Sequence, residues 1–93
     1  MENITILVVD DDPAISQLVE LYLRREGFQV LLCNRGDDAW PAFRQGNPAL
    51  VVLDVMLPGM DGWQVLKKIR QDSKVPVIML TARDDSTDKV LGL

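Results

Sequence analysis

The 93-residue sequence predicts an α/β domain, one open parallel sheet with helices on both faces. Two observations predict it. Four short apolar runs are each followed by a segment with helix-start signals, so a β-α unit repeats four times. Such alternation builds a parallel sheet whose crossovers are covered by helices. Three of the runs end directly in polar residues: Ile6-Leu7-Val8-Val9 in Asp10-Asp11-Asp12, Leu50-Val51-Val52-Leu53 in Asp54, and Val77-Ile78-Met79-Leu80 in Thr81. Parallel strands bring all these ends to one edge of the sheet.

The elements follow in order. Ile4 to Val9 reads as a buried strand, because it is short, continuous and rich in β-branched residues. Asp12 then caps a helix that has Pro13 at its first position, where a missing N–H costs nothing. Ile15, Leu18, Val19 and Tyr22 form its i, i+3, i+4, i+7 stripe, and Gly27 ends it. Phe28 to Cys33 is the second strand. A short helix is expected to start near Asp38, since Pro41 belongs in a first turn. Gly46-Asn47-Pro48 breaks the chain, and Leu50 to Asp54 is the third strand. Leu57-Pro58-Gly59-Met60 forms a loop that Pro58 and Gly59 shape. Asp61, with Gln64 three residues on, has the spacing of a capping box, and Leu66 and Ile69 continue that helix. Ser73-Lys74 turns the chain into a fourth strand, Val75 to Leu80. Asp84-Asp85-Ser86 opens a last helix, cut short at Leu93, with its acids at the favourable end of the dipole. Trp40 and Trp63 read as packing residues.

Composition excludes several classes. The chain is 47% hydrophobic and 26% charged, ordinary for one soluble domain with a single core. A net charge of −4 and the lack of a dense basic run argue against direct nucleic-acid binding by this chain. No apolar stretch approaches the roughly 20 residues of a membrane helix, and Met1-Glu2-Asn3 lacks the basic start of a signal peptide, so a cytoplasmic location is expected. With no histidine, the chain can form neither a histidine-based triad nor a histidine-ligated zinc site. The single cysteine, Cys33, cannot form an intramolecular disulfide and reads as a small apolar residue at a strand end.

The polar strand ends carry the chemistry. Crowded carboxylates repel one another unless a cation joins them, and hard divalent ions such as Mg²⁺ favour carboxylate oxygens. Asp10, Asp11 and Asp54 therefore read as a metal-assisted site with Asp54 central to it, whereas Asp12 reads as a cap. Thr81 gains weight only from its neighbours at the same edge.

The pieces Ile6-Leu-Val-Val-Asp-Asp-Asp12, Leu53-Asp-Val-Met-Leu-Pro-Gly-Met-Asp-Gly62 and Val77-Ile-Met-Leu-Thr-Ala82 resemble the receiver domain of bacterial two-component response regulators. The resemblance spans the whole chain. It implies a flavodoxin-like sheet of order 2-1-3-4, the order known for flavodoxin and for the chemotaxis receiver. It also implies roles. Asp54 matches the phosphoacceptor, which takes a phosphoryl group from a sensor histidine kinase. Asp10 and Asp11 match the acidic pair that holds Mg²⁺, and Met56 the position whose backbone carbonyl completes the metal shell. Thr81 matches the switch hydroxyl, and Ala82 the small residue that leaves access to the site. The domain is expected to be a phosphoacceptor module in a phosphorelay and not an enzyme. Longer relatives with similar text often carry a winged-helix DNA-binding domain, so a role in transcription regulation would belong to a parent protein.

The family pattern continues with a fifth strand, its lysine, an aromatic switch residue and a fifth helix, none of which can be assigned within residues 1–93. Lys67, Lys68, Lys74 and Lys89 fall on helices or turns and do not match that lysine. The whole chain is thus expected to be a C-terminally truncated receiver. Its fourth strand would be an apolar sheet edge that invites self-association. The alternative function is a fragment that cannot switch and mainly self-associates. A Mg²⁺-dependent phosphohydrolase of the haloacid-dehalogenase type also uses an aspartate after a strand, but Met56 stands where that family has a second aspartate. A flavin site is disfavoured by the acidic loop after the first strand.

Overall fold

The computed structural model describes residues 4–80 and 90–91. Four parallel strands stand in the order β2-β1-β3-β4, as expected: β1 is Thr5–Val9, β2 Gln29–Cys33, β3 Leu50–Asp54 and β4 Val77–Leu80. The crossovers carry α1 (Pro13–Arg25), α2 (Gly36–Gly46) and α3 (Gly62–Asp72). A two-residue strand, β5 (Val90–Leu91), pairs antiparallel with β4, Met79 opposite Leu91 and Leu80 opposite Val90.

Alternation along the strands gives the sheet two apolar faces. Leu7, Val9, Val51, Leu53, Val77 and Met79 point to one side and pack on Ala39 and Phe43 of α2 and Val65 and Ile69 of α3. Ile6, Val8 and Val30 point to the other side, where Val19 and Leu23 of α1 cover them. The first face is the larger core.

Local signals set two helix starts. The Asp12 carboxylate accepts the Ala14 N–H at 2.9 Å, and Pro13 follows it. At α3 the Asp61 carboxylate accepts the Gln64 N–H at 2.9 Å while the Gln64 side chain accepts the Asp61 N–H at 3.0 Å, a reciprocal capping box.

Four expectations need correction. The helix expected near Asp38 starts at Gly36, with Pro41 inside it. Its start is fixed by a tertiary contact, the Gly36 N–H donating to the Pro58 carbonyl at 3.0 Å. Pro41 is the sixth residue of the helix, past its first turn, and its ring leaves the Asp37 carbonyl without its helical N–H partner. Second, the face of α1 toward the sheet is Ser16, Val19 and Leu23; Val19 of the expected stripe is on it, whereas Leu18 and Tyr22 are 53% and 58% exposed and Ile15 also faces solvent. Apolar residues occupy more of this helix than one sheet contact can bury, so the stripe did not select the face. Third, Trp63 is exposed at the start of α3, while Trp40 does pack, stacked on Phe43 at 5.7 Å between ring centroids. Fourth, Val90 and Leu91 form a strand where the end of a last helix was expected, and they pair with half of the β4 edge that was expected to be bare. The start of that helix at Asp84-Asp85-Ser86 lies outside the described residues.

Candidate functional site

The register assembles the site. Val9 is opposite both Cys33 and Leu53, so the chain leaves β1 beside the end of β3. The Asp10 N–H continues the ladder by donating to the Cys33 carbonyl at 3.0 Å. On the other side Asp54 is opposite Leu80, and the Val55 N–H donates to the Leu80 carbonyl at 3.2 Å. The strand order reverses between β1 and β3, the place where open α/β sheets bind ligands.

The three successive aspartates after β1 then part company. Asp10 turns inward, 6% exposed, and its Oδ1 accepts the Asp12 N–H at 2.8 Å. Asp12 caps α1 and is thereby occupied. Asp11 faces solvent at the rim. Asp54 is 7% exposed at the end of β3. One carboxylate oxygen each from Asp10, Asp11 and Asp54 lie within 4.8 Å of one another. Burial pushes the Asp10 carboxyl above its ordinary value of 3.8, and the nearby charges of Asp54, Asp11 and Asp12 push it further, against the lowering effect of the Asp12 N–H. Two buried carboxylates and one at the rim, repelling one another, suit a small hard cation with oxygen ligands.

The remaining expected positions sit differently. Met56 follows Asp54 by two residues, 57% exposed, and lines a recess with Asp11, Leu57, Pro58 and Asp61. Thr81 and Ala82 lie outside the described residues; Leu80, which precedes them, is hydrogen-bonded at the end of the site. Cys33 is half-buried, its Sγ 3.8 Å from the Asp38 carbonyl, and burial pushes its thiol up, which fits an inert strand-end residue. Sequence reasoning did not single out Ser16, Gln17 or Asn34, which line a second recess beside Asp10 and Asp11. The only sequence signal for Ser16 is its place four residues after the helix cap.

The sequence profile of the response regulator receiver domain matches residues 6–93. The DNA-binding response regulator MtrA of Mycolicibacterium smegmatis is 50% identical over 88 residues, covering 95% of this chain and 39% of the relative. The transcriptional regulatory protein AfsQ1 of Streptomyces coelicolor is 45% identical over 89 residues, 96% of this chain and 40% of the relative. The chain thus spans about two-fifths of the length of these curated relatives. Among solved structures, the BeF3-activated receiver domain of Klebsiella pneumoniae RstA superposes with a TM-score of 0.82 at 35% identity, covering 88% of this chain and 70% of that one. The response regulator TrrA of Thermotoga maritima, solved with Mg²⁺ and beryllium fluoride, gives 0.80 at 39% identity, covering 87% and 71%. Strand order, acidic cluster and sequence similarity lead to one assignment: the chain belongs to the response regulator receiver domain family.

Proposed function

We propose that this chain is a phosphoacceptor module of a two-component phosphorelay, with Asp54 as the group that carries the phosphoryl. The observation that carries the reading is the meeting of the Asp10, Asp11 and Asp54 carboxylates within 4.8 Å at the sheet's switch point. The relatives support it, being response regulators matched over nearly the whole of this chain.

A bound Mg²⁺ would neutralise charge on the phosphoryl oxygens and hold them for in-line attack. Asp10 and Asp11 would supply carboxylate ligands, Asp54 one of its oxygens, and Met56 its backbone carbonyl. An Asp54 oxygen attacks phosphorus, the new O–P bond forms as the donor's P–N bond breaks, and the electron pair of that bond leaves with the donor imidazole. The donor would be a phosphohistidine on a sensor kinase. The buried carboxylate is placed by β3, so the protein's contribution is position and electrostatics. Thr81 would then donate its hydroxyl to the more highly charged acyl phosphate. DNA binding would belong to a longer parent protein, as the MtrA relative's description suggests. The competing reading is a fragment that cannot switch and mainly self-associates; pairing of β5 with Met79 and Leu80 covers half of the β4 edge that such association would use.

The test is intact mass after incubation with Mg²⁺ and acetyl phosphate. One phosphoryl gain, absent in Asp54→Asn and after chelation, is expected. A gain that persists in Asp54→Asn would assign the chemistry elsewhere.

A further inference from the structure

The connection from β3 to α3 carries Met56 and ends at the Asp61 cap, and it is gripped from both sides. On the β3 side, the Gly62 N–H donates to the Val55 carbonyl at 2.9 Å. A side chain at Gly62 would collide with the Asp54 carbonyl oxygen and meet the Val55 α-carbon at 2.8 Å. On the far side lies the first turn of α2. The Gly36 N–H donates to the Pro58 carbonyl at 3.0 Å, and a side chain at Gly36 would overlap the Met60 carbonyl. Arg35 clamps Asp37 through two bonds, Nε to Oδ1 at 2.9 Å and Nη2 to Oδ2 at 3.1 Å. That pair faces Gly59, whose φ of +82° belongs to the left-handed region; a β-carbon there would lie 2.5 Å from Asp37 Oδ1 and 3.0 Å from Arg35 Nη2.

We propose that the start of α2 is a positioning shelf for the metal-binding loop, with Arg35, Gly36 and Asp37 setting where Met56 stands relative to Asp10, Asp11 and Asp54. None of the three belongs to the acidic cluster, so they are positioning residues. The proposal rests on the metal reading above. Its physical basis is that Gly36 lets backbone meet backbone: any side chain there must push the loop off the helix. The loop's other end is fixed on Asp54 and Val55 through Gly62, so the displacement falls on the residues between. Groups that orient metal ligands from behind typically change metal affinity by about 10–100-fold when altered.

The experiment is a Mg²⁺ titration followed by the fluorescence of Trp40 and Trp63, with thermal unfolding measured in parallel. The variants are Gly36→Ala, the milder Arg35→Gln, and Gly46→Ala as a control. Gly46 closes the same helix, and a side chain there would press only on the Leu31 side chain. Gly36→Ala and Arg35→Gln should weaken Mg²⁺ binding about ten-fold in protein that circular dichroism shows to be folded. Gly46→Ala should lower the melting temperature and leave the affinity unchanged. If Gly36→Ala does not fold, Arg35→Gln decides. Variants that melt earlier yet bind Mg²⁺ as tightly as the parent would overturn the shelf and leave the metal site standing. A parent that does not titrate, like Asp10→Asn, would overturn the metal reading and the shelf with it.

Discussion

Replacing Asp10 with asparagine should stabilise the metal-free chain and remove its stabilisation by Mg²⁺. The carboxylate oxygens of Asp10 and Asp54 lie within 4.8 Å, and both residues are buried. At that separation and an effective dielectric of about 20, an ionised pair repels by about 3.5 kcal/mol. Asp11 is exposed and its share is screened by water, so the buried pair dominates. Other interactions of Asp54 and screening by water offset part of this, which leaves a gain of about 2 kcal/mol for the variant near neutral pH. Asparagine keeps an oxygen for the Asp12 N–H, so that bond survives. For a domain of this size the gain amounts to a rise in melting temperature of about 10 °C.

The pH dependence has a definite sign. Folding raises the Asp10 carboxyl above 3.8, so the folded state binds its proton more tightly than the unfolded one. Stability of the metal-free parent therefore falls as pH rises through the window from 3.8 upward. The variant should lack this slope. With Mg²⁺ at about a hundred times its dissociation constant, the parent should gain about 2.7 kcal/mol and the variant almost nothing. Thermal unfolding by circular dichroism, with and without Mg²⁺, reads all three effects. A variant no more stable than the metal-free parent would mean that the Asp10–Asp54 repulsion is not felt, and one still stabilised by Mg²⁺ would mean that Asp10 is not a ligand.

Other perturbations have defined outcomes. Asp61→Ala removes the acceptor for the Gln64 N–H and should cost about 1 kcal/mol, read as a melting temperature lower by several degrees. Leu53→Ala empties a fully buried position between the sheet and α2–α3 and should cost about 3–5 kcal/mol in urea unfolding; a loss well under that would mean the core collapses around the gap. Arg24→Ala removes the Nη2–H that the outward-facing Val30 carbonyl of β2 accepts at 3.2 Å, baring an edge strand without charge or proline. Sedimentation should then show stronger concentration-dependent association than in the parent, and identical profiles would deny Arg24 a protective role.

What could be read from sequence was what neighbours in sequence decide. Asp12-Pro13 and Asp61 with Gln64 announce their helices because the capping partners lie two or three residues away. Apolar runs ending in Asp10-Asp11 and Asp54 announce the acidic cluster because parallel strands leave their ends no other edge. The start of α2 was not legible, since it depends on Gly36 meeting Pro58 and Met60 from across the fold. Nor was the rest of the sheet-facing side of α1: Val19 belongs to a stripe with Ile15, Leu18 and Tyr22 as well as to one with Ser16 and Leu23, and only the sheet chooses. The Arg35–Asp37 clamp over Gly59 was equally invisible: an arginine two residues before an aspartate carries no sign of what lies above it.

If Asp54 is the phosphoacceptor, it carries the phosphoryl group as an acyl phosphate. Reductive trapping tests it most directly, because borohydride converts an aspartyl phosphate to homoserine and marks its position. After treatment with Mg²⁺ and acetyl phosphate, peptide mapping should find homoserine at position 54 and nowhere else. Homoserine at position 10 or 11, or a phosphorylated chain with no homoserine at all, would show that Asp54 is not the phosphoacceptor.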